Sequence, residues 1–83
     1  MVSDLFDDRE VVVNGVYKHF KGHEVKVLAV AENTESGDFY VVYTHLATGK
    51  VWARPIEMFL SEVDTTKYPN ASQKYRFELL YVD

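Results

Sequence analysis

The sequence predicts a mainly β domain: a small, partly open barrel of about five strands with one short helical turn before the last strand. Three observations predict it. Short runs rich in Val, Tyr and Phe alternate with turn signals such as Asn14-Gly15, Ser36-Gly37-Asp38 and Thr48-Gly49-Lys50. The apolar pattern shifts from alternation to helical spacing only once, directly after Pro55. Finally, a chain of 83 residues that is 47% hydrophobic makes one small domain. At that size, closing a sheet removes exposed edges and buries more apolar surface.

The elements follow in order. Val11-Val12-Val13 is β-branched and is stopped by Asn14-Gly15, a strong turn signal. Val16 to Phe20 resumes in extended form, and Gly22 marks the next turn. Glu24 to Ala31 is apolar at nearly every position, with Val25, Val27, Ala29 and Ala31 on one side and Leu28 and Val30 on the other. That composition fits a central strand covered on both faces. Phe39 to Leu46 and Val51 to Arg54 are the next strands. Pro55 fixes its own φ and pushes Arg54 toward extended backbone. Ile56, Phe59, Leu60 and Val63 then recur at helical spacing, so one to two turns are expected from Pro55 to about Glu62, with Pro55 at the first helical position. A polar loop covers Thr65 to Lys74, and the last strand runs from Tyr75 to Val82. The expected architecture is an SH3-like barrel over residues 11–83, preceded by an acidic extension over residues 1–10. An isolated α+β meander is the alternative.

Composition excludes several function classes. There is no cysteine, so disulfides, thiolate metal sites and a cysteine nucleophile are ruled out. No apolar run approaches the ~20 residues that cross a bilayer, and the acidic start lacks the basic-then-apolar order of a signal peptide. A cytoplasmic location is expected, with no membrane partner. The net charge of −4 argues against general nucleic-acid binding, which needs clustered Lys and Arg. Asp4, Asp7, Asp8 and Glu10 concentrate acid at the N-terminus and read as a solvated end. The rest of the chain is nearly neutral, which leaves room for a local basic patch.

Two segments carry candidate chemistry: Tyr17-Lys18-His19-Phe20-Lys21-Gly22 and Trp52-Ala53-Arg54-Pro55-Ile56-Glu57-Met58-Phe59. Arg54 offers a rigid, always-charged fork for a carboxylate or phosphate, on backbone restricted by Pro55. Trp52 and Arg54 should share one strand face, since side chains two apart point the same way. The competing structural role for Arg54 is an ion pair with Glu57, or with a carboxylate elsewhere, that pins the helical turn. His19 lies near Lys18 and Lys21, whose charges favour a neutral imidazole. No nucleophile accompanies it in a recognisable triad order, so a surface or hydrogen-bonded structural role competes. His19, His23 and His45 fit no zinc-ligand motif, and no metal or other cofactor is expected. Tyr40 and Tyr43 should point to opposite faces of their strand, bringing one of them to the surface or rim. Met58-Phe59-Leu60 reads as the apolar side of the helical turn, packed over a barrel end.

The segments Gly15 to Gly22, Val27-Leu28, Val41-Val42-Tyr43, Trp52 to Phe59 and Arg76-Phe77, in this order, resemble the DUF1653 family of small bacterial proteins. The resemblance runs from about Asn14 to Phe77. It implies an SH3-type barrel and implies no activity. Val25 departs from the pattern, since the family commonly has an aromatic there.

The functional expectation is a non-catalytic binding module presenting Tyr17, His19, Lys21, Tyr43, Trp52, Arg54 and Glu57 to an anionic small molecule or an acidic or extended peptide. One alternative is a small enzyme with His19 as acid or base and Arg54 as anion clamp. Another is an accessory protein acting by self-association through an edge strand.

Overall fold

A computed structural model describes residues 10–83. The acidic extension expected over residues 1–10 lies outside the described residues, apart from Glu10. Five strands form one open antiparallel sheet: β1 (Gly15–His19), β2 (Glu24–Glu32), β3 (Phe39–His45), β4 (Val51–Pro55) and β5 (Phe77–Val82). The spatial order is β4-β3-β2-β1-β5, and one short helix, α1 (Ile56–Phe59), stands between β4 and β5 in the chain. The mainly β fold, the strand number and the helical turn before the last strand are therefore as the sequence predicts.

The turns explain why consecutive strands pair. At the β1–β2 hairpin, Gly22 N–H donates to the His19 carbonyl and His19 N–H donates to that of His23. Gly22 adopts φ +107, a conformation that L side chains resist, so glycine is needed there. Gly15 is required for a different reason. A Cβ at this position would meet the Val12 carbonyl oxygen at 2.8 Å and Leu79 Cδ1 at 2.9 Å.

Four expectations are corrected. Val11–Val13 is not a strand: Gly15 N–H donates to the Val12 carbonyl, closing a turn through Asn14 at φ 69. β2 is covered on one face only. Val25 and Val27 are buried, but a register shift between Val27 and Ala29 leaves Leu28 42% exposed and turns Val30 toward the core. The bulge thus breaks the alternation that two-sided burial would have required. The helix is shorter than expected, because Pro55 is the last residue of β4 at ψ 137 and serves as the N-cap. The last strand begins at Phe77, two residues late, since Tyr75 pairs with Glu62 instead.

That Glu62–Tyr75 bridge belongs to a short return segment. Val63 N–H donates to the Lys74 carbonyl, Arg76 N–H to that of Ser61, and Phe20 N–H to that of Arg76. The chain after α1 is therefore stitched to the approach of β5 and to the end of β1. It spans the gap between the two edges of the sheet.

The core lies on the concave face. Tyr17, Val25, Val27, Val41, Tyr43, Ile56, Phe59, Leu60 and Phe77 form one buried cluster. Phe59 is at its centre. It stacks on Phe77 at 4.3 Å between ring centroids and 8° between planes, and meets Tyr17 and Tyr43 at 5.2 and 5.6 Å. One side chain from α1 thereby joins β1, β3 and β5. Replacing Phe59 by Ala should cost roughly 3–5 kcal/mol, measured as a drop in the urea midpoint with little change in the denaturant slope.

Candidate functional site

Beside this core the fold leaves an open cleft of ≈ 820 Å³. Three parts of the chain meet there: the end of β1 and its turn, strand β4, and the return segment with its loop. The sequence motif around β1 supplies His19, Phe20, Lys21 and His23; that around β4 supplies Trp52 to Pro55 and Met58. The return segment adds Asp64, Lys67, Tyr68, Arg76 and Phe77.

Five of the seven expected site residues, His19, Lys21, Tyr43, Trp52 and Arg54, line this cleft. Tyr17 does not. It is 1% exposed beneath Phe59, and its hydroxyl accepts from Val12 N–H at 3.0 Å, so it serves the core and the incoming chain. Glu57 is also absent from the cleft, since it lies on the exposed side of α1. The expected Arg54–Glu57 ion pair does not form among the described residues. Arg54 Nε instead donates to Tyr43 Oη at 3.1 Å, and its guanidinium carbon lies 5.7 Å from the Phe77 ring centroid.

Arg76 is held in the same manner. Its Nε donates to Ser61 Oγ at 3.1 Å, and that hydroxyl donates to the Met58 carbonyl at 2.6 Å. Each guanidinium thus spends Nε on a protein acceptor. Its Nη donors have no hydrogen-bond partner among the described residues. A fork held this way loses less rotamer freedom when it binds an anion.

Lysines complete the ring of charge. Lys21 Nζ lies 5.1 Å from the Tyr68 ring centroid and 5.9 Å from that of Phe20; Lys67 Nζ lies 5.6 Å from Tyr68. A hydrogen bond from Lys21, then the nearby positive charges, lower the pKa of the Tyr68 phenol. Among the described residues, the only carboxylate lining the cleft is that of Asp64. Its Oδ1 accepts from the N–H groups of Thr66 and Lys67, at 3.0 and 3.4 Å. Among the described residues, Lys21, Arg54, Lys67 and Arg76 therefore outnumber the acids in the cleft of a chain whose net charge is −4.

His19 sits at the inner wall, 8% exposed. Burial first, then the charges of His23, Arg54, Arg76 and Lys21, lower its pKa from 6.5 to about 4. Lys18, expected to contribute, does not, because it is exposed on the opposite face of β1. His19 is neutral at pH 7, and its Nδ1 accepts from Lys21 N–H at 3.1 Å. The ring proton is thereby assigned to Nε2, a further donor. The imidazoles of His19, His23 and His45 lie in a row at 4.9 and 5.2 Å between centroids, His19 and His23 stacked face to face. Among the described residues no group of His, Cys, Asp or Glu is placed to hold a metal ion.

A family model described as a protein of unknown function, DUF1653, matches residues 15–79. The chain belongs to the DUF1653 family. The match spans both motif segments, all of β1 to β4, α1 and the start of β5, so every element that builds the cleft lies within the DUF1653 region. Comparison with curated proteins and with solved structures returned no match. Among the described residues of this DUF1653 chain, no helix is long and apolar enough to cross a membrane.

Arg76, Lys67 and Tyr68 are the cleft residues that sequence reasoning did not select. Arg76 reads as the solvent-facing partner of Phe77 in an alternating strand, but it precedes β5 and joins the return segment. Lys67 and Tyr68 carry no periodic signal. The available cue was that they sit on the polar loop from Thr65 to Lys74, since binding residues concentrate on loops positioned by a rigid scaffold.

The lowered His19 pKa links stability to pH. Below pH 6.5 the unfolded chain binds a proton at this histidine, whereas the folded chain does not until about pH 4. Stability should therefore fall as pH is lowered through that window. His19→Asn, which keeps an acceptor near the Lys21 N–H, should lose up to about 3 kcal/mol less than the wild type between pH 7 and pH 4, measured by urea denaturation.

Proposed function

We propose that this protein is a non-catalytic module that binds an anionic ligand in the cleft between β1, β4 and the return segment. The single observation that carries the reading is the ring of Lys21, Arg54, Lys67 and Arg76 against one carboxylate among the described residues, in an otherwise acidic chain. Like charges gathered without partners repel one another, and a bound anion relieves that cost. Both arginines are pre-positioned by Nε hydrogen bonds, and aromatic walls from Trp52, Tyr68 and Phe77 suit an apolar or planar portion of the ligand.

The SH3-like, partly open barrel belongs to the same reading. The order β4-β3-β2-β1-β5, with the helical turn and return segment spanning the sheet edges, supports it. A single domain over residues 11–83 and a cytoplasmic setting complete it. The enzyme alternative draws on His19 and Arg54 sharing the cleft. A histidine with a pKa of about 4 is poorly matched to proton transfer near pH 7, which favours the binding reading.

Self-association has its own observation. Leu79, Leu80, Tyr81 and Val82 on edge strand β5 are each 45% exposed or more. Light scattering at rising protein concentration tests this second reading: a constant monomer mass counts against it.

Citrate and inorganic phosphate are suitable first probes of the cleft. At 100 times its dissociation constant a ligand adds about 2.7 kcal/mol, which raises the melting midpoint of a domain this size by roughly 10–20 °C. The wild type should show such a shift with at least one of the two anions, reduced by 0.5 M NaCl. Lys21→Gln and Arg54→Gln should lose it. Equal shifts in wild type and variants would remove the cleft from the account.

A further inference from the structure

The ligand class can be narrowed from the backbone beside the cleft. β4 is an edge strand. His45 N–H donates to the Lys50 carbonyl, and the register then pairs Thr44 with Val51, Tyr43 with Trp52, Val42 with Ala53, Val41 with Arg54 and Tyr40 with Pro55. Hydrogen-bonded and non-hydrogen-bonded pairs alternate in an antiparallel ladder. Trp52 and Arg54 therefore turn their peptide groups toward β3, and Val51 and Ala53 turn theirs outward. Pro55, which has no N–H to give, falls on the outward set, as this phase requires. Outside the strand ladders, no backbone hydrogen bond among the described residues uses Val51 or Ala53.

This open edge borders the cleft. Trp52, Ala53, Arg54 and Pro55 all line it. The cleft opens over the sheet face, where Tyr43 of β3 and Val25 of β2 also line it, and the alternating neighbours Ala53 and Pro55 extend it to the edge of β4. Among the described residues, a row of N–H and C=O groups without a strand partner thus lies beside four cationic side chains.

We propose that the cleft receives an extended acidic peptide segment, which adds to the free edge of β4 through the outward peptide groups of Val51 and Ala53 and places alternate carboxylates against Arg54, Arg76 and Lys21. The proposal rests on the anion-binding reading and specifies its ligand. Main-chain pairing supplies affinity, and the alternate side chains that enter the cleft supply selectivity. Charge complementarity selects the acidic partner, because a basic or neutral strand would leave the four cations unanswered. At the opposite edge, β5 offers backbone as well, but its exposed side chains Leu79 to Val82 carry no charge to select such a partner.

The test uses the full chain and follows the fluorescence of Trp52, the single tryptophan. The probes are a capped octapeptide alternating Glu with Val and Thr, two N-methylated versions of it blocking either alternate set of amides, and glutarate as the free anion. The peptide should bind at least tenfold more tightly than glutarate. One N-methylated version should lose that advantage and the other keep it. Ala53→Pro, which removes an outward N–H at an edge position that tolerates proline, should weaken the peptide at least tenfold and weaken it more than glutarate. Arg54→Gln should weaken both. If peptide and glutarate bind alike and neither N-methylation nor Ala53→Pro matters, strand addition is overturned and the anion site stands. If neither probe binds, or a Lys-for-Glu peptide binds as well, the anion site falls with it.

Discussion

The stack of Phe59 on Phe77 is the contact on which the rest of the structure depends. At 4.3 Å and 8° the rings lie face to face, and they come from α1 and β5, which no backbone ladder joins. A five-stranded open sheet of this size cannot bury its concave face by curvature alone. Phe59 fills that concavity from above, and Phe77 anchors it to the strand that pairs with β1. Pro55 fixes one of the dihedrals at the point where the chain leaves β4 for α1, and so limits the directions from which Phe59 can enter the core.

Phe77 also links the core to the cleft. His19 meets its ring edge-on at 4.9 Å, and the Arg54 guanidinium stands near it. The residue that completes the hydrophobic cluster therefore also shapes the wall that presents the charges. Holding several cations together costs free energy, and the fold meets that cost through fixed partners. Tyr43 and Ser61 hold the arginines by Nε, and the rings of Phe20 and Tyr68 face the Lys21 ammonium. His19 is kept neutral among these groups and adds no charge to the cluster.

Much of this fold was legible in the sequence, for local reasons. Turn glycines, β-branched runs and the change of period after Pro55 report short-range backbone preference, so the strands and the single helical turn emerge directly. What failed depends on pairing between distant segments. The bulge beside Leu28 arises from the register of β2 against β3, and no residue there announces it. The late start of β5 arises because Glu62 captures Tyr75. The candidate site shows the same division. His19 and Arg54 were visible as residue types held by rigid local backbone, and Trp52 followed from strand alternation. Tyr17 carried the same motif, but its place under Phe59 is a tertiary fact. Arg76 and Lys67 reach the cleft only through the return segment, which no local pattern encodes.

The central claim is that Arg54 and Arg76 form one pre-positioned anion site. The most direct measurement is a nitrogen-15 NMR titration of the arginine Nε–H resonances with inorganic phosphate. Both Nε–H signals, together with the Lys21 and Tyr68 amides, should shift along one common binding curve, while amides of β2 far from the cleft stay still. Independent curves for the two arginines, or shifts spread evenly over the surface, would contradict the central claim.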